Sequence, residues 1–103
     1  MTTDPARLSS EARVATTRPG RYLAQLCKHF QHKLPVTFTD DRGHIAFPAG
    51  SCDLAAEPAA GVLVMRVAAG DGAALAKLED VVARHLVRFA FREPPEIHWT
   101  RAA

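Results

Sequence analysis

The segment CKHFQHK, residues 27–33, contains the densest group of side chains in this sequence that could do chemistry. It holds one thiol and two imidazoles at spacings typical of metal ligands. On a helix, however, Cys27 and His29 lie about 160° apart, because each residue turns the chain by about 100°. Cys27 falls on the apolar stripe of that helix and is expected to face the core. His29 and His32 are three residues apart and can share a face.

Two histidines do not complete a metal site, because zinc usually takes three or four protein ligands. His85 is the best third candidate, since it lies at the edge of the apolar stripe of a second predicted helix. If the two helices pack side by side, His29 and His85 would approach each other. The alternative is that His85 is a partly buried histidine bonded to a backbone carbonyl group. The sequence leaves the identity of any metal or cofactor open.

The segment RFAFRE, residues 88–93, is the second chemical feature. Arg88 and Arg92 alternate with two phenylalanines and could stack on a planar anionic ligand. In the competing interpretation the phenylalanines complete the core and the arginines face water. No phosphate-binding glycine loop, nucleophile elbow or HExxH motif is present in the sequence, and the carboxylates cluster in turns. We therefore lean against an enzyme.

The apolar pattern predicts the elements that position these residues. The first is a strand over residues 12–16, followed by a helix from Pro19 to about Lys33. Four strands then follow, near residues 36–38, 44–47, 52–54 and 62–67. A second helix, capped by Asp71, runs to about Phe89, and a last strand covers residues 97–100. In the turn over residues 40–43, Gly43 is expected to adopt a positive φ.

The order β-α-β-β-β-β-α-β predicts an α+β fold. We expect a two-layer sandwich, in which a mostly antiparallel sheet carries both helices on one face. The chain of 103 residues has 48% hydrophobic residues, which suits one domain over residues 11–103 behind a flexible tail over residues 1–10. No apolar run is long enough to span a membrane and the start is not a secretory signal. We expect a cytoplasmic protein with Cys27 and Cys52 reduced.

The charge distribution is lopsided, although the net charge is only +2. Residues 12–39 contain five basic residues and no acid, whereas residues 40–80 contain seven acids and three bases. The net charge is too small to indicate nucleic acid. One positive face would suit an anionic partner; the alternative is a solvated surface with no partner.

Several of these segments together resemble the bacterial family called domain of unknown function 2218. The matching pieces are Arg18-Pro19, Tyr22-Leu23, Leu26-Cys27-Lys28-His29, His32-Lys33, Gly50, Cys52, Leu54, His85-Leu86 and Arg88-Phe89-Ala90-Phe91-Arg92-Glu93. The resemblance covers about residues 12–101. It carries no established activity, but a similar domain occurs fused behind siderophore-interacting flavin reductases, which implies a link to iron handling.

Three functions follow as hypotheses. The leading one is a small accessory or binding module for an anionic small molecule in iron or siderophore metabolism, with these ligand-binding residues: Lys28, His29, His32, Lys33, His85, Arg88 and Arg92. The second is a protein-interaction or homodimerisation domain without a small ligand, docking on a flavin reductase or on itself. The third is a metal-dependent enzyme that uses His29, His32 and His85.

Overall fold

The computed structural model describes residues 7–102. Its elements, in chain order, are β1 (Leu8–Ala15), α1 (Pro19–Phe30), β2 (Val36–Phe38), β3 (Arg42–Phe47), β4 (Gly50–Glu57), β5 (Val62–Ala69), α2 (Gly72–Phe89) and β6 (Thr100–Arg101). The predicted order of strands and helices is confirmed, and so is the α+β class. No helix within these residues combines the length and the apolarity that a membrane span requires.

The strands form one antiparallel sheet in the order β2-β3-β4-β5-β1-β6. The predicted meander is confirmed over β2 to β5, since each of these strands pairs with the next one in the chain. The first strand lies between β5 and the short β6. It begins at Leu8, inside the segment predicted to be a tail, and the rest of that segment, up to residue 6, lies outside the described residues.

Both helices cover the same face of the sheet. Alternate strand residues on that face are buried, including Val14, Ile45, Cys52, Leu63 and Met65. The helices contribute a stripe of residues to the same core: Leu23, Leu26, Cys27, Leu75, Leu78, Val82 and Leu86. The period of two in the strands and of about 3.6 in the helices accounts for this division. Among residues 7–102, no helix lies on the opposite face of the sheet.

Helix α1 begins with Pro19, whose fixed φ suits the first helical position, and ends at Phe30. The prediction that it continues to about Lys33 is wrong. The backbone N–H of Lys33 donates to the carbonyl oxygen of Phe30 at 3.1 Å, so the chain tightens into a turn. Pro35 disfavours the helical conformation of Leu34, so the helix could not continue beyond this turn.

Helix α2 begins as predicted. The Asp71 carboxylate accepts a hydrogen bond of 2.8 Å from the backbone N–H of Ala74, which satisfies one of the free donors of the first turn. The last strand is shorter than predicted, because only Thr100 and Arg101 pair with β1. The segment after α2 instead places Ile97 and Trp99 against the core.

Gly43 does not adopt a positive φ, contrary to the sequence prediction; within the described chain only Gly61 does. Gly43 lies inside β3, opposite Phe38 and Leu54. A Cβ atom at this position would lie 2.7 Å from the Sγ atom of Cys27. Glycine is therefore needed here because helix α1 packs its thiol directly onto the strand.

Candidate functional site

The two helices run in opposite directions across the sheet. The end of α1, at His29, contacts α2 at His85 and Phe89, whereas the start of α1 lies beside the segment that follows α2. Residues spaced by three or four along α1 therefore form one edge of the helix–helix boundary: Arg18, Arg21, Tyr22, Gln25 and His29. Of the sequence-predicted site residues, His29, His85 and Arg92 lie at this boundary.

His29 and His85 meet at this boundary, with ring centroids 4.7 Å apart and ring planes inclined by 49°. Phe30 and Phe89 pack around them, at centroid distances of 4.8 Å from His85 and 5.7 Å from His29 respectively. The expected approach of His29 to His85 is thus found in the structure. Nδ1–H of His85 donates to the backbone carbonyl oxygen of Val81 at 2.6 Å, as in the alternative interpretation of this residue.

The surroundings of His29 disfavour a positive charge on its imidazole ring. The pKa of His29 is lowered from 6.5, first because the imidazole is partly desolvated, and then because of the nearby positive charge of His85, Arg88, His32 and Lys33. A neutral His29 keeps one nitrogen as a hydrogen-bond acceptor and the other as a donor. It can therefore orient a ligand as a polar aromatic group, but at neutral pH it does not add to the positive charge of the face.

Three of the other predicted basic residues, His32, Lys33 and Arg88, lie close enough for their charges to act on His29. Lys28, His32, Lys33 and Arg88 are all exposed. His32 and Lys33 follow the end of α1, so the predicted sharing of one helical face by His29 and His32 does not hold. Within residues 7–102, no three His, Cys, Asp or Glu side chains lie close enough together to hold a metal ion. The structure therefore does not assemble the histidine set of the metal-enzyme hypothesis.

A concave groove lies next to the histidine pair, towards the start of α1. It has a volume of about 510 Å³, which is within the usual range for small-ligand sites. Its lining residues are Thr17, Arg18, Arg21, Tyr22, Gln25, Phe89, Phe91, Arg92 and Glu93. Of the residues predicted for the ligand site, Arg92 lines this groove. Phe89 connects the two features, because it lines the groove and also packs on His29.

The groove is basic and aromatic. In the described part of the chain, Arg18, Arg21 and Arg92 take part in no ion pair. The guanidinium carbon of Arg92 lies 5.6 Å from the ring centroid of Phe91, whose side chain is 69% exposed. An unpaired guanidinium group beside an exposed ring can bind an anion and stack on a planar group at the same time.

Two further features suit a polar ligand here. Helix α1 has no acidic residue of its own in the first turn and no side-chain cap at Arg18, and the acid nearest to its start in the groove is Glu93. The Oε1 atom of Gln25 is buried and has no hydrogen-bond partner among residues 7–102. Such an atom costs stability unless it is paired, and a ligand donor would supply the missing partner.

Glu93 holds the two sides of the groove together. Its carboxylate accepts a hydrogen bond of 3.3 Å from the backbone N–H of Thr17 and one of 3.2 Å from the hydroxyl group of Thr17. These bonds attach the segment after α2 to the residues just before α1. The single acid in the groove is therefore engaged in positioning the chain, and the arginines are left for other partners.

The sequence prediction missed Arg18, Arg21, Tyr22 and Gln25 as site residues. Their spacing along α1 places them on one edge of the helix, which is a signal available in the sequence. The denser group of histidines and lysines lies at the other end of the helix and is the stronger signal in the sequence. Only the antiparallel packing of the helices shows which end of α1 meets Arg92.

The chain matches a known bacterial family. Residues 11–100 match the family described as an uncharacterized protein conserved in bacteria, domain of unknown function 2218. The chain belongs to this family, so the resemblance inferred from the sequence is confirmed.

A solved relative has the same architecture. The chain is similar to PA4090 from Pseudomonas aeruginosa, known from an NMR structure, with 39% sequence identity and a TM-score of 0.71. The similarity covers 91% of this chain and 94% of that one. A search of proteins with curated descriptions found no match.

Proposed function

We propose that this domain is an accessory binding module that takes an anionic small molecule with planar groups into the groove between α1 and the segment after α2. The observation that carries the proposal is a set of three arginines, Arg18, Arg21 and Arg92, which form no ion pair within residues 7–102 and line one groove together with the exposed ring of Phe91. Arginine suits this task because its planar fork binds oxyanions in two-point contacts and stacks on aromatic faces.

In this proposal, the sequence-predicted residues other than Arg92 act outside the groove. Lys28, Lys33 and Arg88 extend the positive potential beyond the groove, which would attract an anion from solution. His29 packs against both His85 and Phe89, and the two histidines would fix the orientation of a ligand that reaches them. His32 lies on the exposed turn after α1 and would contact only a ligand that extends beyond the groove.

The ligand class that we favour is a ferric siderophore of the catecholate type. Such a complex is anionic and presents flat aromatic rings, and both properties match arginine and phenylalanine in the groove. The occurrence of a similar domain fused behind siderophore-interacting flavin reductases supports the same choice. In this proposal the module presents the ferric complex to a separate flavin reductase.

The proposal is tested by titrating ¹⁵N-labelled protein with the diamagnetic gallium(III) complex of a tris-catecholate siderophore. Amide shifts should concentrate at residues 17–25 and 89–93. Arg21→Gln should weaken binding by about 10- to 100-fold, the effect of losing one charge-assisted hydrogen bond. Arg84→Gln is the matched control, because it removes one positive charge from a helix residue that pairs with Asp80 away from the groove.

Inorganic pyrophosphate serves as a second probe in the same titration. If pyrophosphate shifts the groove residues and the gallium complex does not, the anion site stands and its assignment to siderophores is wrong. If neither probe binds, or if the shifts lie outside residues 17–25 and 89–93, the groove is not the site that we propose.

A further inference from the structure

The face of the sheet that carries no helix has an ordered row of polar residues. The register places His44 on β3 opposite Asp53 on β4, Asp53 opposite Arg66 on β5, and Arg66 opposite Glu11 on β1. The His44 Nδ1 atom lies 2.7 Å from the Asp53 carboxylate, and the Arg66 guanidinium donates to Glu11 at 2.7 Å. Across four neighbouring strands, this row thus alternates between hydrogen-bond donors, His44 and Arg66, and acceptors, Asp53 and Glu11.

This alternation is complementary to itself when it is reversed. Read from β3 to β1 the row is donor, acceptor, donor, acceptor, and read from β1 to β3 it is acceptor, donor, acceptor, donor. A two-fold axis parallel to the strands, between β4 and β5, would turn a second copy over so that each group faces its opposite. Asp53 would then face Arg66 of the second copy, and His44 would face Glu11 of the second copy.

The residues beside this row are small on the two central strands. On β4 the outward positions on either side of Asp53 are Ser51 and Ala55, and on β5 those beside Arg66 are Ala68 and Val64. The same two-fold axis places Ala55 against Val64 of the second copy and Ser51 against Ala68 of the second copy. Small side chains on both sides of a charged row would allow two sheets to approach to about 10 Å, the normal packing distance.

The other simple arrangement is electrostatically unfavourable. An axis in the plane of the face but perpendicular to the strands would place Asp53 near Asp53 of the second copy.

In the favoured arrangement, the row of residues next to the charged row brings Arg42 towards Arg13 of the second copy. That contact is tolerable because Arg13 is already paired with Glu57 at 3.1 Å.

We propose that the open face of the sheet is a self-association surface, on which two copies of this chain pair through Asp53 and Arg66. The long strands β3, β4, β5 and β1 offer roughly 500 Å² of face in each copy, from about 4.8 Å between strands and about 3.3 Å per residue. An interface that buries about 1,000 Å² in total belongs to the weak, transient class. The dimer therefore forms and dissociates with protein concentration.

The dimer would leave the helical face free. The groove between α1 and α2 lies on the other side of the sheet, so each copy keeps its own groove and the two grooves point in opposite directions. This inference is independent of the ligand proposed above.

The test uses charge reversal in two separate chains. Wild-type protein is followed by sedimentation velocity from about 10 µM to about 1 mM, where an interface of this size would associate. Asp53→Arg and Arg66→Asp should each be monomeric over this range, because like charges then face each other across the axis. A mixture of the two variants should form a heterodimer, since each reversed residue meets its complement in the other chain.

Both side chains are more than half exposed, so the variants are expected to fold, and circular dichroism checks this. Arg84→Asp makes the same change of charge on the helical face and should keep the self-association of the wild type. The proposal is overturned if the wild type stays monomeric at the highest concentration. It is equally overturned if either single variant still dimerises, or if the mixture remains monomeric.

Discussion

The imidazole rings of His29 and His85 lie with their centroids 4.7 Å apart, one ring from each helix. Fifty-six positions separate them in the chain, and they are brought together only because α1 and α2 cross the same face of the sheet in opposite directions. Nδ1 of His85 is already committed to the carbonyl oxygen of Val81. At His29, partial desolvation and the neighbouring positive groups disfavour a positive charge and lower the pKa of its imidazole.

The first prediction concerns the pH dependence of stability. The pKa of His29 is lower in the folded chain than its ordinary value of 6.5. The unfolded chain therefore binds the proton more tightly, and stability decreases as the pH falls from 6.5 through the lower folded pKa. His29→Gln should reduce this loss, measured as the shift of the urea midpoint between neutral and mildly acidic pH.

The control for this experiment is His98→Gln, which removes an exposed histidine distant from the pair. The loss of stability on acidification is compared between this variant, His29→Gln and the wild type. If His29→Gln and the wild type lose stability equally over the acidic range, the lowered pKa of His29 does not contribute to folding.

The second prediction concerns Gly43. Gly43→Ala places a methyl group 2.7 Å from the Sγ atom of Cys27 in a packed core. We expect a loss of about 1–3 kcal/mol in the free energy of unfolding, the usual cost of overpacking. Chemical denaturation measures this loss, and Gly70→Ala is the matched control, because no atom lies within 4 Å of a Cβ added there.

A double variant separates this clash from an effect on strand propensity. Cys27→Ala removes the atom in conflict, so its combination with Gly43→Ala should be less destabilised than the sum of the two single changes. Strict additivity would show that the thiol is not the obstacle.

The third prediction concerns the start of α2. Asp71→Ala removes the acceptor for the backbone N–H of Ala74 and should cost about 1 kcal/mol of stability. Asp71→Ser retains a capping oxygen and should stay close to the wild type. Equal losses in the two variants, compared by thermal and urea unfolding, would mean that the cap contributes little.

The fourth prediction concerns the two thiols. Burial raises the pKa of Cys27 to about 11 and raises that of Cys52 further, so little thiolate exists at neutral pH. Both should react with a disulfide reagent such as Ellman's reagent only as fast as the protein opens. The exposed variant Ala73→Cys should react far faster under the same conditions. A native-state rate for Cys27 or Cys52 similar to that of residue 73 would contradict their buried placement.

Local patterns in the sequence were sufficient to predict most of the elements. The spacing of Leu75, Leu78, Val82 and Leu86 predicted the buried side of α2, and Asp71 predicted its first turn. The helical projection of Cys27 correctly placed its thiol in the core. These features depend on residues a few positions apart, and the geometry of a helix or strand fixes how such residues lie relative to one another.

The positions that the sequence did not predict depend on distant contacts. The turn-like residues around Gly43 predict a positive φ. In the structure, the missing side chain of Gly43 instead leaves space for the thiol of Cys27, which belongs to another element. The early end of α1 is an exception, because it involves only local hydrogen bonds from Lys33 and Leu34 to Phe30. The concentration of histidines and lysines near residue 29 did not indicate the groove, because the groove also requires Arg92 and Phe91 from the segment after α2.

By itself, the sequence determined the order of elements, the buried stripes and the positive character of α1, because these follow from local periodicity and charge. Only the tertiary structure decided that β1 lies between β5 and β6, that His29 meets His85, and that Arg18 and Arg21 share a groove with Arg92. The reason is that these relationships depend on how packed layers align. Burial of apolar surface favours packing but has no preferred direction. The alignment of the layers is therefore fixed only by the combined shape of all the elements.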